Sequence, residues 1–224
     1  MKVTEKRPEE SLKEFAYRVL KENIVNMELE PGRLLSENEI GQQLGVSRAP
    51  IREAFSQLAS QKLVEIQPQR GTFVTLIDYE YVEEVRFLRS VVEKEIAGMA
   101  CGCLTEEYED QLEENLVLQD FCLRKKNFQR FLKLDKSFHK LLFDCCGKQV
   151  IYDLIEQVIP AFDRERKLSF EELNPRQIYM DHCGILQAIQ AKDKEKAVSL
   201  AAEHLTHVTK DQKILKEKYP QYFK

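Results

Sequence analysis

The chain has 224 residues, of which 43% are hydrophobic and 32% are charged, and its formal net charge is −4 at pH 7. This length fits one large domain or two modest ones, and the hydrophobic fraction is sufficient for a packed core. No apolar run is as long as a transmembrane helix, and the charged N-terminus, MKVTEKRPEESLKEF, lacks the apolar stretch of a secretory signal. We therefore expect a soluble, cytoplasmic protein with no membrane partner.

The six cysteines follow no regular spacing; they are Cys101, Cys103, Cys122, Cys145, Cys146 and Cys183. In a cytoplasmic chain, cysteines without a disulfide framework are expected to be reduced thiols, either buried or partly exposed. A zinc site built on Cys101 and Cys103 would need a second matching pair, and the spacing supplies none.

The first third of the chain has the pattern of a winged helix. The predicted elements are three helices, at residues 9–27, 36–44 and 47–61, and two strands, at residues 63–66 and 72–75. Ser36 and Ser47 have the residue type that caps a helix N-terminus, and Gly45 suits the left-handed stop between the second and third helices. Residues 67–71 connect the strands as a hairpin tip. Helix, helix-turn-helix and hairpin follow in the order of a winged helix-turn-helix.

The rest of the chain is predicted to be almost entirely helical. Six helices are predicted, at about residues 78–101, 105–125, 127–146, 149–168, 174–191 and 193–217. The connectors are short, and short connectors favour antiparallel neighbours in an all-α bundle. We therefore predict a mainly α fold with a winged helix-turn-helix DNA-binding domain at residues 1–76 and an all-α helical domain at residues 77–224.

The third helix carries candidate DNA contacts. Arg48 and Arg52 lie four residues apart and share a helix face, and the arginine side chain suits guanine edges and phosphates. Ser47 can bind phosphate at the helix N-terminus, and the tip residues Arg70 and Gly71 can enter a minor groove.

The alternative interpretation is that Arg48 and Arg52 are ordinary surface charges with Glu53 as a local partner. The position of both arginines at the start of the second helix of a helix-turn-helix, followed by a basic wing tip, favours DNA binding over this alternative.

The segments LSENEI (35–40), LGVSRAPIREA (44–54) and RGTFV (70–74) resemble the GntR family of bacterial transcription regulators. The resemblance implies that Arg48, Arg52 and the Arg70–Gly71 tip contact DNA. Asn38 stands where many family members have arginine, so the preferred DNA sequence is expected to differ. The full candidate set for DNA binding is Ser36, Asn38, Ser47, Arg48, Arg52, Arg70 and Gly71.

Four residues of the helical region form a candidate metal site. Asp135 and His139 lie at positions i and i+4 of one predicted helix, and His182 and His204 fall on two others. If these helices pack together, one carboxylate and three imidazoles converge, and that set suits a divalent Zn, Ni or Mn ion. Two alternatives remain at this stage: the Asp–His pair is an ordinary surface pair, or His207 replaces His204 as a ligand.

The helical region also resembles the FCD domain of the FadR subfamily, which implies that residues 77–224 form a ligand-sensing and dimerisation domain. The similar positions are Asp135-x-x-x-His139, His182 before Ile185-Leu186-Gln187-Ala188-Ile189, and His204-Leu205. The resemblance implies a bound metal ion that helps to hold a small organic acid as effector, and the six predicted helices resemble the VanR-like branch. An arginine similar to Arg89 often faces the effector cavity in this subfamily; the alternative is a helix ion pair with Glu93.

These features predict a regulator and not an enzyme. A homodimer would place two winged helices on the two half-sites of a pseudo-palindromic, double-stranded operator. The effector would shift the dimer between geometries and so control repression. The alternatives are a regulator that senses the metal without an organic effector and, less favoured, a metal-dependent hydrolase. The hydrolase would need a general base, for which the sequence offers only Glu203 beside His204.

Overall fold

The computed structural model describes residues 1–173, 175–206 and 208–224, without the side chains of residues 208–211. The α-helices are α1 (Leu12–Val25), α2 (Glu37–Leu44), α3 (Arg48–Ser60), α4 (Tyr79–Cys103), α5 (Glu106–Arg124), α6 (Phe128–Cys145), α7 (Gln149–Ile155), α8 (Ile159–Glu172), α9 (Arg176–Gln190), α10 (Lys194–His204) and α11 (Val208–Lys218). The strands are β1 (Leu34–Leu35), β2 (Val64–Gln67) and β3 (Gly71–Val74), and a short 3-10 helix covers Pro220–Tyr222. The mainly α fold class with an N-terminal helix-turn-helix and wing is thus confirmed.

The chain divides into two compact units. The first unit contains Met1–Val82, Val158–Glu165 and Lys216–Lys224, and the second contains Glu83–Gln157 and Arg166–Leu215. The first unit therefore also takes up two segments from later in the chain. The functional boundary after residue 76 stays a prediction.

The first unit contains a three-stranded antiparallel sheet in the order β1–β3–β2. Helix α3 packs against α1, α2 and β2, and its Ile51, Phe55 and Leu58 side chains are buried in the core. Strand β1 was not predicted; it pairs Leu34 with Phe73 and Leu35 with Thr72. Two residues are too few to show the alternating pattern by which a strand is recognised in a sequence.

The turn between α2 and α3 has the predicted caps. Ser36 is the N-cap of α2, and its hydroxyl accepts a hydrogen bond from the backbone N–H of Glu39. Gly45 is the C-cap of α2 in the left-handed region, with φ 67°, where a side chain would be strained. Ser47 is the N-cap of α3 and makes no capping hydrogen bond with its side chain. These local signals fix the direction in which α3 leaves the turn.

Residues from late in the chain complete the first unit. The Arg164 guanidinium donates hydrogen bonds to the Thr75 carbonyl at 2.6 Å and to the Thr75 hydroxyl at 3.1 Å. Ile77 forms a parallel β-bridge with Phe223, and the Phe223 ring stacks on Tyr79 with centroids 4.8 Å apart. The segment that follows the wing is thus held by residues that a boundary at residue 76 assigns to the other domain.

The second unit is helical throughout its regular elements. Helix α5 packs against α6 and α9, and α9 packs against α10. Among the helices in the described ranges, none combines the length and the apolar character that a membrane crossing requires.

The predicted number of six helices after the wing is wrong, because two of them are each divided. Residues 149–168 form α7 and α8, separated after Ile155. Pro160 explains this break: proline has no N–H to donate and clashes with the carbonyl four residues earlier, so it is tolerated only in the first turn of α8.

The second break falls within the predicted helix 193–217. Helix α10 ends at His204 and α11 begins at Val208. The Thr206 hydroxyl donates to the Glu203 carbonyl at 2.7 Å, and such side-chain bonds compete with the helical ladder.

Candidate functional site

The predicted DNA-reading helix presents its two arginines to solvent. Arg48 is the first residue of α3, and Arg52 follows one turn later. Both side chains are exposed, whereas Ile51 and Phe55 between and behind them are buried. The arginine face of α3 is therefore available for a groove of duplex DNA, as major-groove reading requires.

Arg52 is paired, but not with the residue that the sequence suggested. Its Nε and Nη2 atoms donate to both oxygens of Glu37 on α2, at 3.2 and 3.0 Å. The hydrogen bond from Arg52 holds the pKa of Glu37 below its usual range. Glu53, the expected partner, lies 3.9 Å from Lys13 instead. The Arg52 guanidinium is thus held by Glu37 in this structure.

Two other candidate residues meet beside Arg48. Asn38, Ser47 and Arg48 line one surface depression between α2 and the start of α3. Ser47 is exposed and its hydroxyl is not used as a cap. Ser36 uses its hydroxyl to cap α2, so its established role is to hold the helix. The depression brings an amide, a hydroxyl and a guanidinium to one place on the surface.

The tip of the wing is formed by Pro68, Gln69 and Arg70 between the paired residues Gln67 and Gly71. Arg70 is exposed. Gly71 has φ 117°, and a Cβ atom there would lie 2.7 Å from the Leu34 side chain. The positive φ therefore favours glycine here, and a larger residue would also displace the Leu34 side chain, a structural reason that is independent of DNA.

The four predicted metal ligands come together in the second unit. Asp135 and His139 project from α6, His182 from α9 and His204 from the end of α10, and all four are buried. One ligand atom from each lies within 4.8 Å of all the others. The interpretation of Asp135 and His139 as a surface pair is wrong. His207, the alternative ligand, lies outside the described residues.

An outer set of oxygen atoms orients the three imidazoles. Each histidine places its Nδ1 atom beside a side-chain oxygen: His139 beside Glu93 at 2.8 Å, His182 beside Gln119 at 2.9 Å, and His204 beside Asp181 at 3.3 Å. A ring whose Nδ1 carries the proton for such an acceptor presents an unprotonated Nε2 to a metal ion. The outer contacts thus prepare the same nitrogen of all three rings for coordination.

Three inward atoms of the cluster have no hydrogen-bond partner among the described residues. They are Asp135 Oδ1, His139 Nε2 and His182 Nε2, all of which are buried, whereas Asp135 Oδ2 lies against the Arg166 guanidinium. His182 Nε2 lies 3.7 Å from Asp135 Oδ1, and His139 Nε2 lies 4.0 Å from Asp135 Oδ2. Buried acceptors of this kind are costly unless a cation compensates them. The donor set fits a first-row divalent ion.

The electrostatics of the cluster keep the ligands in their binding-competent states. Burial raises the pKa of Asp135, but the Arg166 guanidinium 2.5 Å away and the neighbouring imidazoles outweigh it, so the net pKa is well below its usual range. Burial and the nearby His204 lower the pKa of His182 well below its usual value. Asp135 is therefore a carboxylate and His182 a neutral imidazole at neutral pH.

Arg89 pairs with Glu93, one member of this outer set. It is buried, and its Nε atom donates to Glu93 Oε1 at 2.6 Å while the other Glu93 oxygen contacts His139. The ion pair with Glu93, one of the two interpretations of Arg89, is thus present. Burial raises the pKa of Glu93, but Arg89 and His139 lower it by more, so the net pKa is well below its usual range. Glu93 links the candidate effector residue to a candidate metal ligand.

Three residues of the site were not found from the sequence: Gln119, Asp181 and Arg166. Gln119 offered a signal, because it and Asn115 are polar residues on the face of α5 that buries Leu112, Leu116 and Cys122. Asp181 directly precedes His182 in the sequence but contacts His204. Arg166 offered no such signal, because it lies in a run of charged residues that is typical of a solvated helix face.

Residues 12–74 match the family profile of bacterial regulatory proteins, gntR family, and residues 84–207 match the FCD domain. The chain is 32% identical over 221 residues to the HTH-type transcriptional repressor RspR of Escherichia coli (strain K12), covering 98% of this chain and 97% of that protein. It is 24% identical over 182 residues to the gluconate operon transcriptional repressor of Bacillus licheniformis, covering 79% of this chain and 74% of that protein. The structure of E. coli McbR/YncC has the same fold, with a TM-score of 0.78 at 23% identity over 94% of this chain and 99% of that one.

The two profile matches confirm both resemblances that the sequence motifs indicated. The assignment to the VanR-like branch rested on the number of helices and stays a prediction. The chain therefore belongs to the GntR family of bacterial regulatory proteins, carries an FCD domain and is a transcription regulator.

Proposed function

We propose that this regulator is a cytoplasmic, homodimeric repressor whose affinity for operator DNA is controlled by a small carboxylate bound at a divalent metal ion. The observation that carries the proposal is the convergence of one buried carboxylate and three buried imidazoles, in which Asp135 Oδ1, His139 Nε2 and His182 Nε2 lack hydrogen-bond partners. Asp135, His139, His182 and His204 would hold the ion, which would supply a positive charge and open coordination positions to the effector.

The DNA contacts are proposed from the exposed face of α3 and from the wing. Arg48 and Arg52 would read base edges or phosphates, Asn38 and Ser47 would bind beside them, and Arg70 would reach an adjacent groove. Support comes from the exposure of both α3 arginines and from the depression that Asn38 and Ser47 share with Arg48.

A second copy of the chain is proposed as the partner of α4. Three large apolar side chains of this helix are exposed, Phe87 at 66%, Leu88 at 40% and Val91 at 41%. At spacings of one, three and four residues they share one face, and contiguous exposed apolar surface is typical of interfaces. A dimer matches a pseudo-palindromic operator because its twofold symmetry repeats the reading helix. Sedimentation velocity of the wild type and of Phe87→Glu tests this assignment.

The carboxylate effector is proposed to bind the ion and the Arg89 guanidinium. For that, the effector must take the place that Glu93 now has beside Arg89. This pairing also favours a second candidate function, in which the regulator senses the metal ion itself and the Arg89–Glu93 pair remains intact.

A titration separates the two candidates. The full chain first selects an operator from a random pool of duplexes, and its affinity is then measured by fluorescence anisotropy as the metal-free protein, with Zn²⁺, Ni²⁺ or Mn²⁺, and with each ion plus a panel of small mono-, di- and tricarboxylates. We expect carboxylates to weaken operator binding only when the ion is present. A response to the ion that no carboxylate changes would favour the metal sensor, and no response to either would refute both.

We expect Arg48→Ala to weaken operator binding by about 1–3 kcal/mol and to relax the base preference at one position of each half-site, because a guanidinium at the start of a reading helix contacts bases directly. Anisotropy titrations with the selected operator and with single-base variants measure both effects. Arg124→Ala is the matched control, since Arg124 is an exposed arginine on α5 in the other unit. Equal losses in the two variants would contradict the assignment of α3.

We expect Glu37→Gln to strengthen DNA binding by up to roughly fivefold, because breaking an exposed ion pair releases Arg52 for phosphate or base at a cost below about 1 kcal/mol. The dependence of affinity on salt should become steeper, as one more cation is available to DNA. Glu53→Gln is the control: it also removes one negative charge, on α3 instead of α2, but it does not release Arg52. If both variants bind DNA equally tightly, Arg52 is not a DNA contact.

A further inference from the structure

Three cysteine side chains converge in the second unit, away from the Asp–His cluster. Cys103 Sγ lies 3.8 Å from Cys145 Sγ and 3.5 Å from Cys146 Sγ, and the three sulfur atoms all lie within 4.8 Å of one another. Sulfur ligands at about 2.3 Å from one tetrahedral ion lie about 3.8 Å apart. The two separations from Cys103 thus already match a shared ion, and the third pair of sulfur atoms lies within 4.8 Å.

The cluster lies where two helices end. Cys103 is the last residue of α4, Cys145 is the last residue of α6, and Cys146 is the C-cap of α6. Helix C-termini carry a partial negative charge and stabilise cations. Backbone carbonyls surround the sulfurs as well: Cys103, Cys145 and Cys146 donate to the carbonyls of Met99, Cys103 and Ile96. A positive ion is favoured at this position, and an uncompensated thiolate is not.

The same surroundings argue against a redox pair. Disulfide exchange and oxidation proceed through the thiolate, and reactive cysteines are found at positively charged positions such as helix N-termini. Burial raises the pKa of Cys145 to about 12, and burial also raises the pKa of Cys146. Both residues are therefore thiols at neutral pH, and a cation that displaces the protons would stabilise the thiolate form.

The geometry points to a second metal site, in which Cys103, Cys145 and Cys146 bind one soft d¹⁰ cation through three thiolates. Thiolate ligands select Cu⁺ or Zn²⁺ over harder ions such as Mn²⁺, which the Asp–His cluster can also accept. Cu⁺ would need the three thiolates alone, and Zn²⁺ would add a water molecule in a fourth position. All three residues are partly exposed, so an ion can reach them.

This site is separate from the Asp–His cluster. Cys145 follows His139 by six residues on α6, which is about 9 Å along a helix axis. An ion there would join the end of α4 to the end of α6, and these helices also carry Glu93 and His139. The Cys101–Cys103 spacing indicated no zinc site because the partners of Cys103 come from a different helix.

The test is an anaerobic titration of the full, reduced chain with Cu⁺ and, in parallel, with Co²⁺ as a spectroscopic probe for Zn²⁺. Thiolate-to-metal charge transfer in the ultraviolet reports only sulfur ligation, so the Asp–His cluster does not contribute. We expect the band to saturate at one equivalent of Cu⁺ in the wild type, or at one equivalent of Co²⁺ in His182→Ala, in which the Asp–His cluster does not compete for the ion, with release of the thiol protons. His182→Ala should keep this band, which separates the result from the proposed function.

Cys103→Ser is the decisive variant, because Cys103 contacts both other sulfurs, and we expect it to lose the band. Cys101→Ser is the matched control: Cys101 lies two residues away on α4, its thiol donates to the Ala97 carbonyl, and serine keeps that hydrogen bond. Absence of the band with both ions, or an identical band in the two variants, would overturn the proposal. If the band is absent and mild oxidation forms a disulfide at Cys103, the cluster is assigned to redox chemistry instead.

Discussion

The purified full-length protein is expected to hold one divalent ion per chain at the Asp–His cluster, and His182→Ala is expected to abolish this binding. His182 is completely buried, and its Nε2 atom faces Asp135 without a hydrogen-bond partner. Alanine removes one of the four ligands, and its methyl group cannot coordinate a metal ion. Elemental analysis after dialysis, followed by competition with a chelator, measures the loss.

Gln119→Ala provides a graded comparison, because Gln119 contacts His182 Nδ1 and not the ion position. Loss of such an outer contact typically weakens metal binding by about 10–100-fold. We therefore expect Gln119→Ala to bind the ion with an affinity between those of the wild type and His182→Ala. His204→Ala should also lose the ion and His207→Ala should keep it, which decides between the two ligands that the spacing left open. A wild type that takes up no stoichiometric ion on reconstitution would refute the metal site and the proposed effector response.

The features that could be predicted from the sequence are those whose signals are local. The caps at Ser36 and Gly45 depend on a few neighbouring residues, so their types and positions indicated the turn correctly. The inward and outward faces of α3 follow from a three-to-four spacing within one helix. The partner of Arg52 is a counter-example: Glu53 is adjacent in sequence, but the actual partner, Glu37, is 15 residues away.

The candidate metal ligands were identified because their spacing and a family resemblance coincide, whereas the residues that orient them were not. Gln119 and His182 are 63 residues apart, and no helical periodicity connects them. Their contact exists only because α5 packs against α9. The orienting contacts are therefore a property of the packed bundle, and only the fold could reveal them.

Asp135→Asn is expected to destabilise the metal-free protein by about 3–5 kcal/mol, because removing one partner of a buried ion pair leaves the other charge uncompensated. Asp135 and Arg166 are both buried, with Oδ2 and Nη2 2.5 Å apart. Urea unfolding in the presence of a chelator measures the change. Asp144→Asn is the control on the same helix: Asp144 pairs with the exposed Lys140, and such pairs contribute at most about 0.5 kcal/mol. Equal effects of the two variants would contradict the role assigned to Asp135.

The double variant Asp135→Asn/Arg166→Met tests whether the Asp135 carboxylate contributes to the stability of the fold or to binding of the ion. Removing both charges avoids the unpaired guanidinium, so the double variant should be less destabilised than the two single changes added together. Arg166→Met alone should bind the divalent ion more tightly than the wild type, because the guanidinium and the ion neutralise the same carboxylate. Unchanged or weaker metal binding in Arg166→Met would show that Asp135 is not shared between them. The expected opposite effects, lower stability of the metal-free fold and tighter metal binding, arise only if Arg166 stands in for the cation when the ion is absent.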